Sequence, residues 1–143
     1  MDFSLNAEQQ MIQDAVRKFA RSEILPYSRD WDHAGKFPRE LLTKMGSLGY
    51  LGVPIPEEYG GAGLDYISET IVFEEVGYAD SSVRTTLSVQ MSLVELTILH
   101  WGSETQKQHY LPKLCSGEWI GCFGLTEPNA GSDAANIATS ARR

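Results

Sequence analysis

Between Val83 and Leu99 the chain carries only two charged residues, Arg84 and Glu95, while Val83, Leu87, Met91, Val94, Ile98 and Trp101 recur at helical spacing. Val89, Leu93 and Leu96 add a second stripe. The spacing predicts a helix from the cap Asp80-Ser81-Ser82 to about Trp101, apolar on several sides and therefore buried in a core or at a subunit interface. Met91 and Leu93 read as core or wall, not as chemistry.

Four amphipathic segments accompany it. Asn6 caps a helix carrying Ile12, Ala15, Val16 and Phe19 on one face, which Pro26 ends or kinks. Phe37-Pro38 opens another, with Leu41, Met45 and Leu48 inward and Gly49 as its stop. Tyr66 to Tyr78 carries Ile67, Ile71, Val72, Phe73 and Val76. Ser103 to Gln106 has the form of a capping box for a last helix, with Tyr110, Leu111 and Leu114 inward, a bend at Pro112 and a stop at Gly117. From Gly52 to Gly63, prolines and glycines are so dense that an ordered loop is expected.

Past Gly117 the pattern changes. Trp119 to Thr126 is short, apolar and broken by glycines, as a strand packed closely against a neighbour or ligand would be, and Asn136 to Ala141 reads as the start of a second strand. The fold class expected is mainly α: a helical domain of about five helices over residues 1–117, then the first strands of an incomplete β domain over 118–143. The remaining strands of that sheet are expected outside these residues.

At 143 residues the chain fits one ordinary domain with room for a core. Its net charge of −7 disfavours a nucleic-acid backbone or an anionic membrane as partner. No apolar run reaches a membrane span, and Met1-Asp2-Phe3-Ser4 lacks the features of a secretion signal, so a cytoplasmic protein is the expectation. Cys115 and Cys122 have neither zinc nor redox spacing and read as free, buried thiols; His33, His100 and His109 are too scattered for a metal site.

The candidate chemistry lies in Gly124 to Asn136. Thr126 and Glu127 close the expected strand, and Ser132 and Asp133 follow a glycine, a pattern suited to a backbone loop around an anionic or heteroaromatic ligand. On these residues alone, Pro128-Asn129-Ala130-Gly131 reads equally well as a plain turn. Arg84 poses a second question, because a guanidinium entering an apolar helix needs an anion. Asp80, Glu74 or Glu75 could supply it, and that structural pairing is the preferred reading.

Three motifs in register bear on both questions. Pro54-x-Pro56-Glu57-x-Tyr59-Gly60-Gly61, Tyr110-Leu111-Pro112-x-Leu114-x-x-Gly117-Glu118 and Leu125-Thr126-Glu127-Pro128-x-Ala130-Gly131-Ser132-Asp133 together resemble the N-terminal part of acyl-CoA dehydrogenases across nearly the whole chain. The resemblance favours the ligand-loop reading. It implies FAD as cofactor, an acyl-CoA thioester as substrate, electron-transfer flavoprotein as acceptor and a homotetramer. In that family a catalytic carboxylate takes the α-proton while the β-hydride moves to the flavin. By resemblance the base lies in later sequence, so no catalytic residue is assigned here and the chain alone is expected to be inactive.

Carried over by motif, Phe123, Leu125 and Thr126 would line the flavin ring. Gly131 and Ser132 would approach the pyrophosphate, with Ser132 also reaching the pantetheine arm. Glu127 and Asp133 would hold the loop by accepting backbone N–H bonds, and Asn136 departs from the small residue usual at its position. Arg84-x-x-x-Ser88-Val89-Gln90 and Gly121 to Asn129 look like the glutaryl-CoA dehydrogenase branch, in which Arg84 and Ser88 would face an acyl chain bearing a distal carboxylate. The alternatives are a non-enzymatic helical binding or assembly module of this architecture, or a related flavin oxidase.

Overall fold

The computed structural model describes residues 4–142. Met1-Asp2-Phe3 and Arg143, part of the terminal arginine pair, lie outside them. α1 (Ala7–Phe19) begins where Asn6 Oδ1 accepts from Gln9 N at 2.8 Å and Gln9 Oε1 accepts from Asn6 N at 3.1 Å, a reciprocal cap. The helix widens into a π turn over Ala20–Ile24 and stops ahead of Pro26. Its buried stripe, Val16, Phe19, Ala20 and Ile24, packs along α4 (Tyr66–Ala79).

Polar ties fix the register of that pair. Asp65 caps α4 by accepting from Ser68 N at 2.7 Å, and its other oxygen accepts from Gln9 Nε2 at 3.0 Å, so one carboxylate serves the starts of both helices. The Ser68 amide is the main cause that holds the Asp65 carboxyl below its ordinary range. Farther along, Arg17 donates twice to Glu75, at 2.6 and 3.0 Å.

The apolar rod is continuous but not uniform. Asp80 caps α5 (Ser81–Ser88) through Ser82 N and Val83 N, a π segment follows over Val89–Glu95, and α6 (Leu96–Trp101) completes the rod. Val83, Leu87 and Met91 are buried in the main core beside Leu41, Leu42 and Met45 of α3 (Arg39–Ser47) and Val72 and Val76 of α4. A smaller core of Ile55, Tyr59, Leu111 and Cys115 joins the 52–63 loop to α7 (Glu104–Cys115), which opens with the Ser103–Gln106 capping box. The loop is ordered as expected: Tyr59 is buried and its hydroxyl donates to Glu104.

Several expectations are corrected. The helix α2 (Ser28–Ala34) was not foreseen, because it buries no residue and so carries no apolar period; the Gly35 stop, at φ 59°, is its one local signal. Trp101 is 86% exposed and Leu93 41%, so these two positions face solvent, while Leu96, Ile98 and Leu99 at the same end pack against the smaller core. Cys122 is exposed, although Cys115 is buried, and both are free. Trp119 to Thr126 has no regular secondary structure and forms no ladder among the described residues, and Ala134–Asn136 is a short 3₁₀ turn. A strand needs partners for its backbone groups, and none lies beside this segment among the described residues.

Glu95 ends the π segment completely buried, with neither carboxylate oxygen hydrogen-bonded among the described residues. Burial, and secondarily the charge of Glu69 on α4, raises its pKa to about 9. The folded chain therefore holds a proton that the unfolded chain has released above the ordinary value of 4.5. Stability from this group is present below that value and is lost as pH rises through about 9, by at most about 1.4 kcal/mol per pH unit. Thermal unfolding between pH 5 and 9 should show a steeper decline for the wild type than for Glu95→Gln; parallel curves would contradict a buried neutral acid.

Candidate functional site

The residues after Gly117 leave the helices along the π segment, and two side chains one turn apart receive them. Gln90, 3% exposed, accepts from Gly121 N at 2.7 Å and donates through Nε2 to the carbonyls of Leu114 and Trp119, each at 3.1 Å. Val94 lies under the same glycine: a Cβ at position 121 would come within 2.5 Å of Val94 Cγ1. Only glycine permits that approach. Trp119 is anchored next to this crossing by Lys113, whose Nζ lies 4.2 Å from the ring centroid, and by edge contact with His109.

Beyond the crossing the chain is open. Phe123 and Leu125 are each 45% exposed, and Thr126, Gly131 and Ser132 are exposed as well. Among the described residues, no hydrogen bond is made by the backbone N–H groups of residues 122–126. A Cβ on Gly124 or Gly131 would meet nothing within 4 Å, so this chain's own packing does not require glycine at 131; a close approach there can come only from a ligand or another part of a protein.

The loop itself is a turn as well as a candidate ligand contact. Glu127 and Ala130 exchange backbone hydrogen bonds at 3.0 and 3.1 Å across Pro128 and Asn129. The Glu127 carboxylate accepts from Ala138 N at 2.8 Å, from Thr139 N at 2.9 Å and from the Thr139 hydroxyl. Those bonds, led by the hydroxyl, hold its carboxyl below the usual range. The loop-holding role read for Glu127 is thus present, whereas no side-chain bond of that kind is made by Asp133 among the described residues.

Arg84 is half-buried on α5, and the preferred pairing with Asp80, Glu74 or Glu75 is absent. Asp80 is occupied by Ser82 N, Val83 N and the Ser28 hydroxyl, and Glu75 by Arg17. Among the described residues no hydrogen bond or ion pair reaches the Arg84 guanidinium. Its stem lies across Gly77 of α4, where a Cβ would come within 3.2 Å of Arg84 Cγ. Ser88, one turn along the same face, returns its hydroxyl to Thr85 O at 3.0 Å.

Two groups of candidate residues are therefore presented on one scaffold: Arg84 and Ser88 on the rod, and Phe123, Leu125 and Thr126 on the segment bracketed to it. A surface cleft of about 640 Å³ lies elsewhere, between α2 and the start of α5, and none of these residues lines it. No cluster of metal-ligating side chains occurs among the described residues, and none of their helices is long and apolar enough to cross a membrane. Gln90 was missed as a functional residue by sequence reasoning. Its signal was available, as a long amide side chain between Val89 and Met91 on a rod of few charged residues.

The chain matches the family model described as acyl-CoA dehydrogenase, N-terminal domain, over residues 6–118. It is 47% identical over 141 residues to the probable acyl-CoA dehydrogenase YngJ of Bacillus subtilis (strain 168), a match spanning 99% of this chain and 37% of that protein. It is similar, with a TM-score of 0.91 and 44% identity, to a glutaryl-coenzyme A dehydrogenase solved with glutaryl-CoA, covering 96% of this chain and 35% of that one. It also resembles a glutaryl-CoA dehydrogenase from Mycobacterium smegmatis in complex with FADH2, with a TM-score of 0.88 and 38% identity over 93% of this chain and 34% of that one. The chain thus spans little more than a third of the length of these relatives.

Alanine at position 121 should drive the crossing segment off Val94 and lower stability by about 1–3 kcal/mol, the usual range for overpacking. Adding Val94→Ala should restore most of that loss. Calorimetry of the single and double variants measures it, and a double variant no more stable than Gly121→Ala would contradict the steric account.

Proposed function

This chain belongs to the acyl-CoA dehydrogenase family through its N-terminal domain, and from that premise we propose that it supplies flavin and acyl-chain contacts for the FAD-dependent α,β-dehydrogenation of an acyl-CoA thioester. The observation that carries the reading is the open segment 122–126, with two half-exposed apolar side chains and a row of unpaired N–H donors. One face of such a segment suits a planar heteroaromatic ring. Its donors suit the polar edge of that ring.

FAD, when bound, supplies the hydride acceptor. Phe123 and Leu125 would cover one part of the ring and exclude water there. The N–H groups of Leu125 and Thr126, with the Thr126 hydroxyl, would meet charge that develops on the ring's polar edge. Donors fixed in advance stabilise such charge without reorganising during the reaction. Gly131 leaves room for a close approach by the pyrophosphate, and Ser132 offers a hydroxyl to it and to the pantetheine arm.

Arg84 defines the acyl side. A half-buried guanidinium without an internal anion is suited to a carboxylate brought by the substrate, and Ser88 lies one turn farther on the same face. The preferred substrate is therefore a short acyl-CoA ending in a carboxylate. The catalytic base, the completed flavin site, a homotetramer and electron-transfer flavoprotein as acceptor are assigned to the whole protein of which this chain would form the first part.

The product of the full reading frame that contains this chain should take up FAD, read by absorbance near 450 nm, and should turn over glutaryl-CoA. Arg84→Ala should lower kcat/KM for glutaryl-CoA by roughly 100-fold, the scale of losing one buried charged partner, with a much smaller loss on butyryl-CoA. Equal losses on both substrates would remove the carboxylate role. Residues 1–143 alone should bind little FAD and catalyse no dehydrogenation; robust turnover by them would contradict a base located elsewhere.

A further inference from the structure

All the hydrogen-bonding directions of the Gln90 amide that the bracket needs are fixed by its partners. Nε2 faces two carbonyl oxygens, those of Leu114 and Trp119, and Oε1 faces one N–H, that of Gly121. Turning the amide over would set its own carbonyl against two others, so a single orientation is compatible with the site. The partners belong to different parts of the molecule: Leu114 to the last turn of α7, Trp119 and Gly121 to the segment that departs toward Phe123. Gln90 thus measures the distance between the helical rod and that segment.

We propose that Gln90 is a positioning residue that sets where Phe123 to Thr126 stand relative to Arg84 and Ser88, and so the offset between the flavin and the acyl chain, without touching either ligand. The inference rests on the reading of Phe123 to Thr126 as a flavin wall. Its physical basis is separable from that reading. Arg84, Ser88 and Gln90 lie within two turns of one rod, whereas Phe123 follows Gly121 by two residues, so a shift at the bracket is transmitted directly to one group and not to the other. Loss of the amide would also leave the half-buried Trp119 carbonyl and Gly121 N–H without these partners, whereas the Leu114 carbonyl would keep the Gly117 N–H at 3.0 Å.

The test uses the full reading-frame product as wild type, Gln90→Met and Gln90→Glu. Methionine keeps the length and removes all three bonds. A glutamic acid side chain keeps the acceptor for Gly121 N–H and, when protonated, regains one donor. Hydrogen exchange at Gly121, measured without FAD, should lose about tenfold or more protection in Gln90→Met while α1 and α4 amides keep theirs. The same variant should bind FAD about tenfold more weakly and shift its 450 nm band. Gln90→Glu should recover FAD affinity as pH falls, a dependence the wild type lacks.

Unchanged Gly121 protection in Gln90→Met would overturn the bracket. Lost protection with FAD affinity and spectrum unchanged would overturn the positioning role and leave Gln90 purely structural. A wild type that takes up no FAD would overturn the flavin reading beneath the proposal; Gly121 exchange would then still respond to Gln90, which distinguishes that failure from failure of the bracket.

Discussion

The chain must leave its helical bundle across a buried π segment at hydrogen-bonding distance, and most of what this structure can do follows from that constraint. Gln90 draws the departing backbone in, and Gly121 is the residue that lets it pass over Val94. A side chain at 121 or an apolar residue at 90 would separate the two parts. The widened turn matters to this geometry because it carries both contacts within Val89–Glu95.

Carboxylates already engaged by internal donors account for the second feature of the site. Asp65 and Asp80 are engaged by backbone N–H groups at caps, Glu75 by Arg17, Glu104 by the Tyr59 hydroxyl and Glu127 by the amides of residues 138 and 139. Each satisfies a local demand for an acceptor. Among the described residues Arg84 is left without an internal anion, and Gly77 lets its stem lie against α4. The charge is thus both shaped by the fold and unspent within it.

Much of this architecture is legible in the residues because it is built from local signals. Asn6, Asp80 and Ser103 announce helix starts through side chains that must satisfy backbone donors, and all three do so. α2 escaped such a reading because a helix that buries nothing has no apolar period. The π segment escaped it because one widened turn changes the phase of a rod without changing its composition. The segment after Trp119 reads as a strand from its side chains, but pairing depends on neighbours that the side chains do not encode. The Arg84 pairing failed for a related reason: sequence proximity to Asp80 and Glu75 says nothing about which donors reach those carboxylates first.

The central claim is that the open backbone after Phe123 is one wall of a flavin site. A crystal structure of the full reading-frame product with FAD tests it most directly. The isoalloxazine should lie against Phe123 and Leu125, with Thr126 N–H within hydrogen-bond distance of the ring and Ser132 near the pyrophosphate. A cofactor bound away from Thr126 and Ser132 would contradict it.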